Sequence, residues 1–141
     1  KNYTEQSISE KALETSSAKL VRKGDLLYAL YGATAGETAI SKIDGAINQA
    51  LLCIRPTIKT KFLYFYLLKN KERLLSKYLQ GGQGNLSANI IKNLVIPVPS
   101  ESEQIKIFNF LLKIENKIEI IKCQITQTQS FKKGLLQRMF V

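Results

Sequence analysis

At 141 residues, 45% of them apolar, the chain has enough material for one core and an appendage. Its net charge of +10 favours an anionic partner, either nucleic acid or a membrane surface. It contains no histidine, which excludes His-based acid–base catalysis and most zinc chemistry. In chain order, Ser7 and Glu10 read as a capping box for a short helix within residues 3–16. Lys19 to Asp25 reads as a strand end and a turn. Leu26 to Tyr31 reads as a strand with Leu26, Tyr28 and Leu30 on one face. Gly32 to Gly36 is a small-residue loop, and Glu37 to Ser41 continues as a strand. Asp44-Gly45 signals a tight turn. Asn48 to Arg55 is another apolar strand, closed by Pro56.

From Thr60 a helix is expected to about Tyr78, with Phe62, Phe65, Tyr66, Leu74, Leu75 and Tyr78 on its apolar side. Its other side carries Lys59, Lys61, Lys69, Lys71, Arg73 and Lys77. Residues 80–85 form a glycine-rich loop. Ser87 is placed to cap a helix through Lys92, and Leu94 to Val98 reads as an edge strand ending in proline. Pro97 and Pro99 stop what precedes them, and Ser100 with Glu103 makes a capping box for a long helix from 101 to about 132. At 1.5 Å per residue that is roughly 48 Å. Ile107, Leu111, Ile114, Ile118, Ile121 and Ile125 alternate steps of four and three, the a/d seam of a helix that calls for a partner helix. Thr128 and Lys132 break the seam. Past a stop at Gly134, Leu135, Leu136, Met139 and Phe140 form a short apolar tail.

The charge lies mostly in the first part: residues 1–99 hold 14 Lys/Arg against 7 Asp/Glu, and residues 100–141 hold 7 against 4. A generally Lys-rich composition is the plainer account of the same excess. No apolar run reaches the ~18 residues of a transmembrane helix, and no signal peptide is visible. Cys53 and Cys123 read as unpaired, which fits a reduced, cytoplasmic setting. The start, polar and without Met, reads as that of a fragment.

There is no phosphate-binding Gly-x-x-x-x-Gly-Lys-Ser/Thr loop, no Asp…Glu-x-Lys cluster for magnesium and no Pro-Pro-Tyr-type loop for amino-methyl transfer. The chain therefore reads as a non-catalytic binding unit with no metal site. Candidate contacts to DNA are Lys19, Arg22 and Lys23, then Lys69, Lys71 and Arg73, which can neutralise phosphates. Tyr31 and Thr34 in the first loop, and Gln80, Gln83 and Asn85 in the second, can reach base edges. Each set has an ordinary alternative as a solvated helix face or a plain turn, and the seam can belong to a helix packed on its own domain.

These pieces occur together in one family. Ser17-Ala18-Lys19-Leu20 through Gly24-Asp25-Leu26-Leu27, then Gly32-Ala33-Thr34-Ala35-Gly36-Glu37-Thr38-Ala39-Ile40, resemble the specificity subunit of type I restriction–modification enzymes. Asn48-Gln49-Ala50, Ile54-Arg55-Pro56, Gly84-Asn85-Leu86-Ser87, Ile96-Pro97-Val98-Pro99, Glu103-Gln104 and Leu135 to Phe140 continue the resemblance. It implies sequence-specific recognition of double-stranded DNA by a subunit that does no chemistry. The partners implied are modification subunits, which methylate adenine with S-adenosylmethionine, and restriction subunits, which use ATP and magnesium. It also implies that the seam meets a helix from another segment or a second copy. The chain departs from the pattern in covering only the later part of one recognition domain plus one helix.

The fold expected is α+β: a small twisted, mainly antiparallel sheet with short helices, then a long coiled-coil helix. Residues 1–99 would be a partial recognition domain and 100–141 the spacer helix. The alternatives are the DNA-reading part of a single-chain restriction–methylation enzyme and a basic coiled-coil adaptor.

Overall fold

A computed structural model describes residue 4, residues 6–78 and residues 86–140. The chain divides into two compact units, residues 1–101 and 102–141. In the first, helix α1 (Glu10–Thr15) is capped by Ser9, whose Oγ accepts from the Ala12 N–H at 3.2 Å. The cap is thus Ser9 and not Ser7, and Glu10 lies in the first turn, where a carboxylate complements the helix dipole.

Five strands follow among the described residues: β1 (Lys19–Val21), β2 (Leu26–Ala29), β3 (Thr38–Ile40), β4 (Gly45–Ile47) and β5 (Leu51–Ile54). They make two antiparallel sheets, β1 with β4 and β3-β2-β5 with β2 in the middle. Leu26 and Tyr28 are fully buried on the central strand, and Leu30 just beyond it is nearly so, as the alternation requires. Asp44-Gly45 is not a tight turn. Gly45 opens β4 opposite Val21, and the turn glycine is Gly24, at φ +96°. The apolar run 48–55 is split because the Asn48 side chain accepts from the Ala50 N–H at 3.0 Å, folding a local turn before β5 begins.

The helical stretch is two helices, α2 (Thr60–Lys69) and α3 (Lys71–Tyr78). Asn70 separates them: it leaves helical geometry at φ −93°, ψ 7°, and its Nδ2 donates to the Tyr66 carbonyl at 2.8 Å. The buried stripe is Phe62, Leu63 and Leu67 with Leu74, so Phe65 and Tyr66 are only partly covered. Ser87 caps α4 (Ala88–Lys92), accepting from the Asn89 N–H at 3.2 Å. Leu26, Tyr28, Leu30, Leu63, Leu67, Leu74, Leu86 and Ile91 form one core cluster. Each fully buried side chain of this kind contributes about 1.5–3 kcal/mol.

Residues 94–98 form no strand. Pro97 and Pro99 have no N–H to donate, and Val95 is 95% exposed. The second unit is the helix α5, which runs Glu101–Met139. It passes through Gly134, where the expected stop does not occur, since one glycine costs only about 1 kcal/mol in a helix interior. Thirty-nine residues at 1.5 Å each span about 58 Å. No helix among the described residues is long and apolar enough to cross a membrane.

Candidate nucleic-acid interface

The turn between β1 and β2 is built around one carboxylate. Asp25 accepts from the Arg22 backbone N–H at 2.8 Å and from Arg55, at 2.6 Å to Nη2 and 3.0 Å to Nε. Arg55 Nη2 also donates to the Leu20 carbonyl at 3.3 Å, and the Cys53 thiol lies 3.4 Å from the same carboxylate. The Arg55 guanidinium, helped by the Arg22 N–H, holds the Asp25 carboxyl well below the usual carboxylate range. Partial burial and the nearby Asp25 push the Cys53 thiol up, which keeps it protonated. On the other side of the turn, the Lys23 N–H donates to Asp44 Oδ1 at 2.7 Å. With its backbone fixed from both sides, the turn presents Arg22 and Lys23 to solvent, and Lys19 is exposed on β1.

At the other end of β2 the chain enters the loop 31–36. It makes a single 3-10 turn over Gly32–Thr34. The loop is closed by Ala35 N–H to Gly32 O at 3.0 Å, Gly36 N–H to Ala29 O at 2.9 Å and Glu37 N–H to Thr34 O at 2.9 Å. Gly32 and Gly36 take φ values of +70° and +81°, which L side chains resist. The loop therefore offers Tyr31, Ala33 and Thr34 to solvent from a fixed backbone. Lys71 Nζ pairs with Glu37 Oε1 at the base of the loop. Lys69 and Arg73 are exposed. Lys77 lies over its neighbour Tyr78, 5.1 Å from the ring centre. Lys59 pairs with Glu101 at 2.7 Å.

The two candidate clusters are not brought together. Six residue steps separate Asp25 from Tyr31, about 20 Å at 3.3 Å per residue. Lys19, Arg22 and Lys23 lie toward one end of β2, and Tyr31 and Thr34 at the other. Gln80, Gln83 and Asn85 lie outside the described residues. Among the described residues no group of three or more Cys, Asp and Glu is placed to hold a metal. Sequence reasoning overlooked Asp25–Arg55 and Glu37–Lys71. The scarcity of carboxylates in a basic chain was the signal, because Asp25 and Glu37 each meet a cation.

On α5, Ile107, Ile114, Ile118, Ile121 and Ile125 are 39–51% exposed and Leu111 is less so. Because the helix does not stop at Gly134, the alternation of four and three continues through Thr128 and Lys132 to Leu135 and Met139, both exposed. Leu135 and Met139 of the expected tail thus continue the same seam, with two polar positions inside it.

A family model described as the type I restriction modification DNA specificity domain matches residues 1–128. Two proteins of Methanocaldococcus jannaschii are similar. The type I restriction enzyme MjaVIII specificity subunit is 29% identical over 98% of this chain and 33% of its own length. The MjaIX specificity subunit is 31% identical over 97% and 32%. This chain thus spans about a third of the relatives it matches. Two solved structures share the fold, each at 24% sequence identity. One, from work on complex assembly and conformational transition of the type I R-M system, matches 85% of this chain and 30% of its own, with a TM-score of 0.69. The other, the HsdS subunit from Thermoanaerobacter tengcongensis, matches 75% and 25%, with a TM-score of 0.59. With its small antiparallel sheets, short helices and long terminal helix, the chain belongs to the type I restriction modification DNA specificity domain family.

Proposed function

We propose that this chain is the DNA-reading and spacing part of a type I restriction–modification specificity subunit. It recognises one part of a double-stranded target and directs methylation and cleavage by partner subunits in the cytoplasm. The observation that carries this reading is the family match across residues 1–128. The net charge of +10 and the rigid turn and loop at the two ends of β2 support it.

In this reading Lys19, Arg22, Lys23, Lys69 and Arg73 hold phosphates, which gives affinity and register without sequence information. Tyr31 and Thr34, with Gln80, Gln83 and Asn85, meet base edges in a groove. Fixing the loop backbone before binding lowers the ordering cost of those contacts. The seam on α5 pairs with a second helix, which sets the distance between this unit and another DNA-reading unit. The chain itself does no chemistry. S-adenosylmethionine, ATP and magnesium belong to the modification and restriction subunits.

The test is affinity capture from nuclease-treated lysate of the source cell, with the full-length protein as bait. An adenine methyltransferase subunit recovered in roughly stoichiometric amount is the expected result. A soluble, folded bait that recovers no methyltransferase would sink the proposal.

A further inference from the structure

Helix α3 touches the candidate reading loop 31–36. At its first residue, Lys71, the ammonium pairs with Glu37 directly after the loop 31–36, and the Lys71 side chain is only 24% exposed. The Lys71 stem also lies on the loop. A Cβ built on Gly36 would stand 3.0 Å from Lys71 Cγ and 3.2 Å from Leu75 Cδ2. One turn further on, Leu74 is buried in the core, which fixes the helix.

From this geometry we infer that Lys71 is a positioning residue for DNA recognition and not a phosphate contact. Its ammonium is spent on Glu37 and its stem covers Gly36. It therefore ties the backbone of the Tyr31–Thr34 loop to helix α3, which Leu74 anchors in the core. What it sets is the aim of the base-reading side chains, hence the ratio of specific to non-specific affinity. The exposed Arg73, two residues on, is the cation in this helix that reaches phosphate. This assignment rests on the DNA-reading function proposed above.

The two roles separate in one experiment. The full-length protein, assembled with its partner subunits, is used first to select its target from a randomised duplex pool. Binding to the selected duplex and to a scrambled one is then measured across a salt series. Lys71→Met and Glu37→Gln are each expected to lower the specific-to-scrambled ratio about tenfold, the scale of one base contact. The slope of log K against log salt stays that of the parent. Lys71→Arg, which still reaches Glu37, restores the ratio, as does the charge exchange Glu37→Lys with Lys71→Glu. These last two keep the test decisive if a single variant folds poorly. A slope shallower by roughly one unit for Lys71→Met, with the ratio unchanged, would make Lys71 a phosphate contact and overturn the inference. A parent complex that selects no sequence would overturn the DNA-reading function itself, and this assignment with it.

Discussion

At the scale of single residues, three glycines at positive φ among the described residues shape turns of the first unit, and they are not equivalent. Gly24 and Gly32 have open space where a Cβ would go, whereas Gly36 faces Lys71 and Leu75. Gly36→Ala combines a left-handed backbone with a tight contact, and it should destabilise the protein by about 1–2 kcal/mol. Gly45→Ala is its control, because Gly45 has ordinary φ and nothing within 4 Å. There the change is expected to be neutral or stabilising by up to about 1 kcal/mol. Urea unfolding of the two variants checks this, and equal losses would contradict the account of the loop. Neither loop glycine's conformation was assignable from sequence, since a glycine-flanked loop fits several turn types. That Leu26, Tyr28 and Leu30 share one buried face was legible, because strand alternation leaves no choice.

At the scale of elements, three of the misread boundaries share one cause: a polar side chain bonding to nearby backbone. Asn48 splits an apolar run into turn and strand, Asn70 ends α2 at the Tyr66 carbonyl, and Ser9 in place of Ser7 caps α1. In each case two or three residues were eligible, and which one bonds depends on where the neighbouring element packs. The long helix shows the opposite case. Lys132 and Lys133 before Gly134, and Leu135, Leu136, Gln137, Arg138 and Met139 after it, are all good helix formers, and Gly134 does not interrupt the helix. Gly134 has nothing within 4 Å of its missing Cβ. Gly134→Ala should therefore stabilise α5 by roughly 0.8–1 kcal/mol, seen as reduced fraying at its C-terminal end by hydrogen exchange. No gain in protection over residues 130–139 would mean that this end of the helix is not formed in solution.

At the scale of the whole molecule, Asp25 contributes to stability in acid. Its carboxyl titrates below the usual range in the folded chain, mainly because it accepts from Arg55. In the unfolded chain it titrates near the ordinary value of about 3.9. Between those two values the unfolded chain binds more protons, so stability rises with pH there. The contribution is fully present above the ordinary value and is lost as pH falls toward the folded one. Thermal melts between pH 6 and pH 2 should fall less steeply for Asp25→Asn than for the parent. Parallel curves would show that the Arg55 contact is not formed in solution. The same turn holds Arg22 and Lys23 outward, so a weakened Asp25 is also expected to loosen that basic cluster.

By itself the sequence determined the class of fold, the alternation that buries the central strand, the helix with an apolar seam and the excess of positive charge. These follow from local propensity and from the spacing of apolar residues, which act over a few positions along the chain. Only the tertiary structure decided that Asp25 belongs with Arg55 thirty residues later and Glu37 with Lys71 thirty-four later. Those are long-range pairings, and a carboxylate's choice of cation is settled by packing, to which sequence spacing is blind.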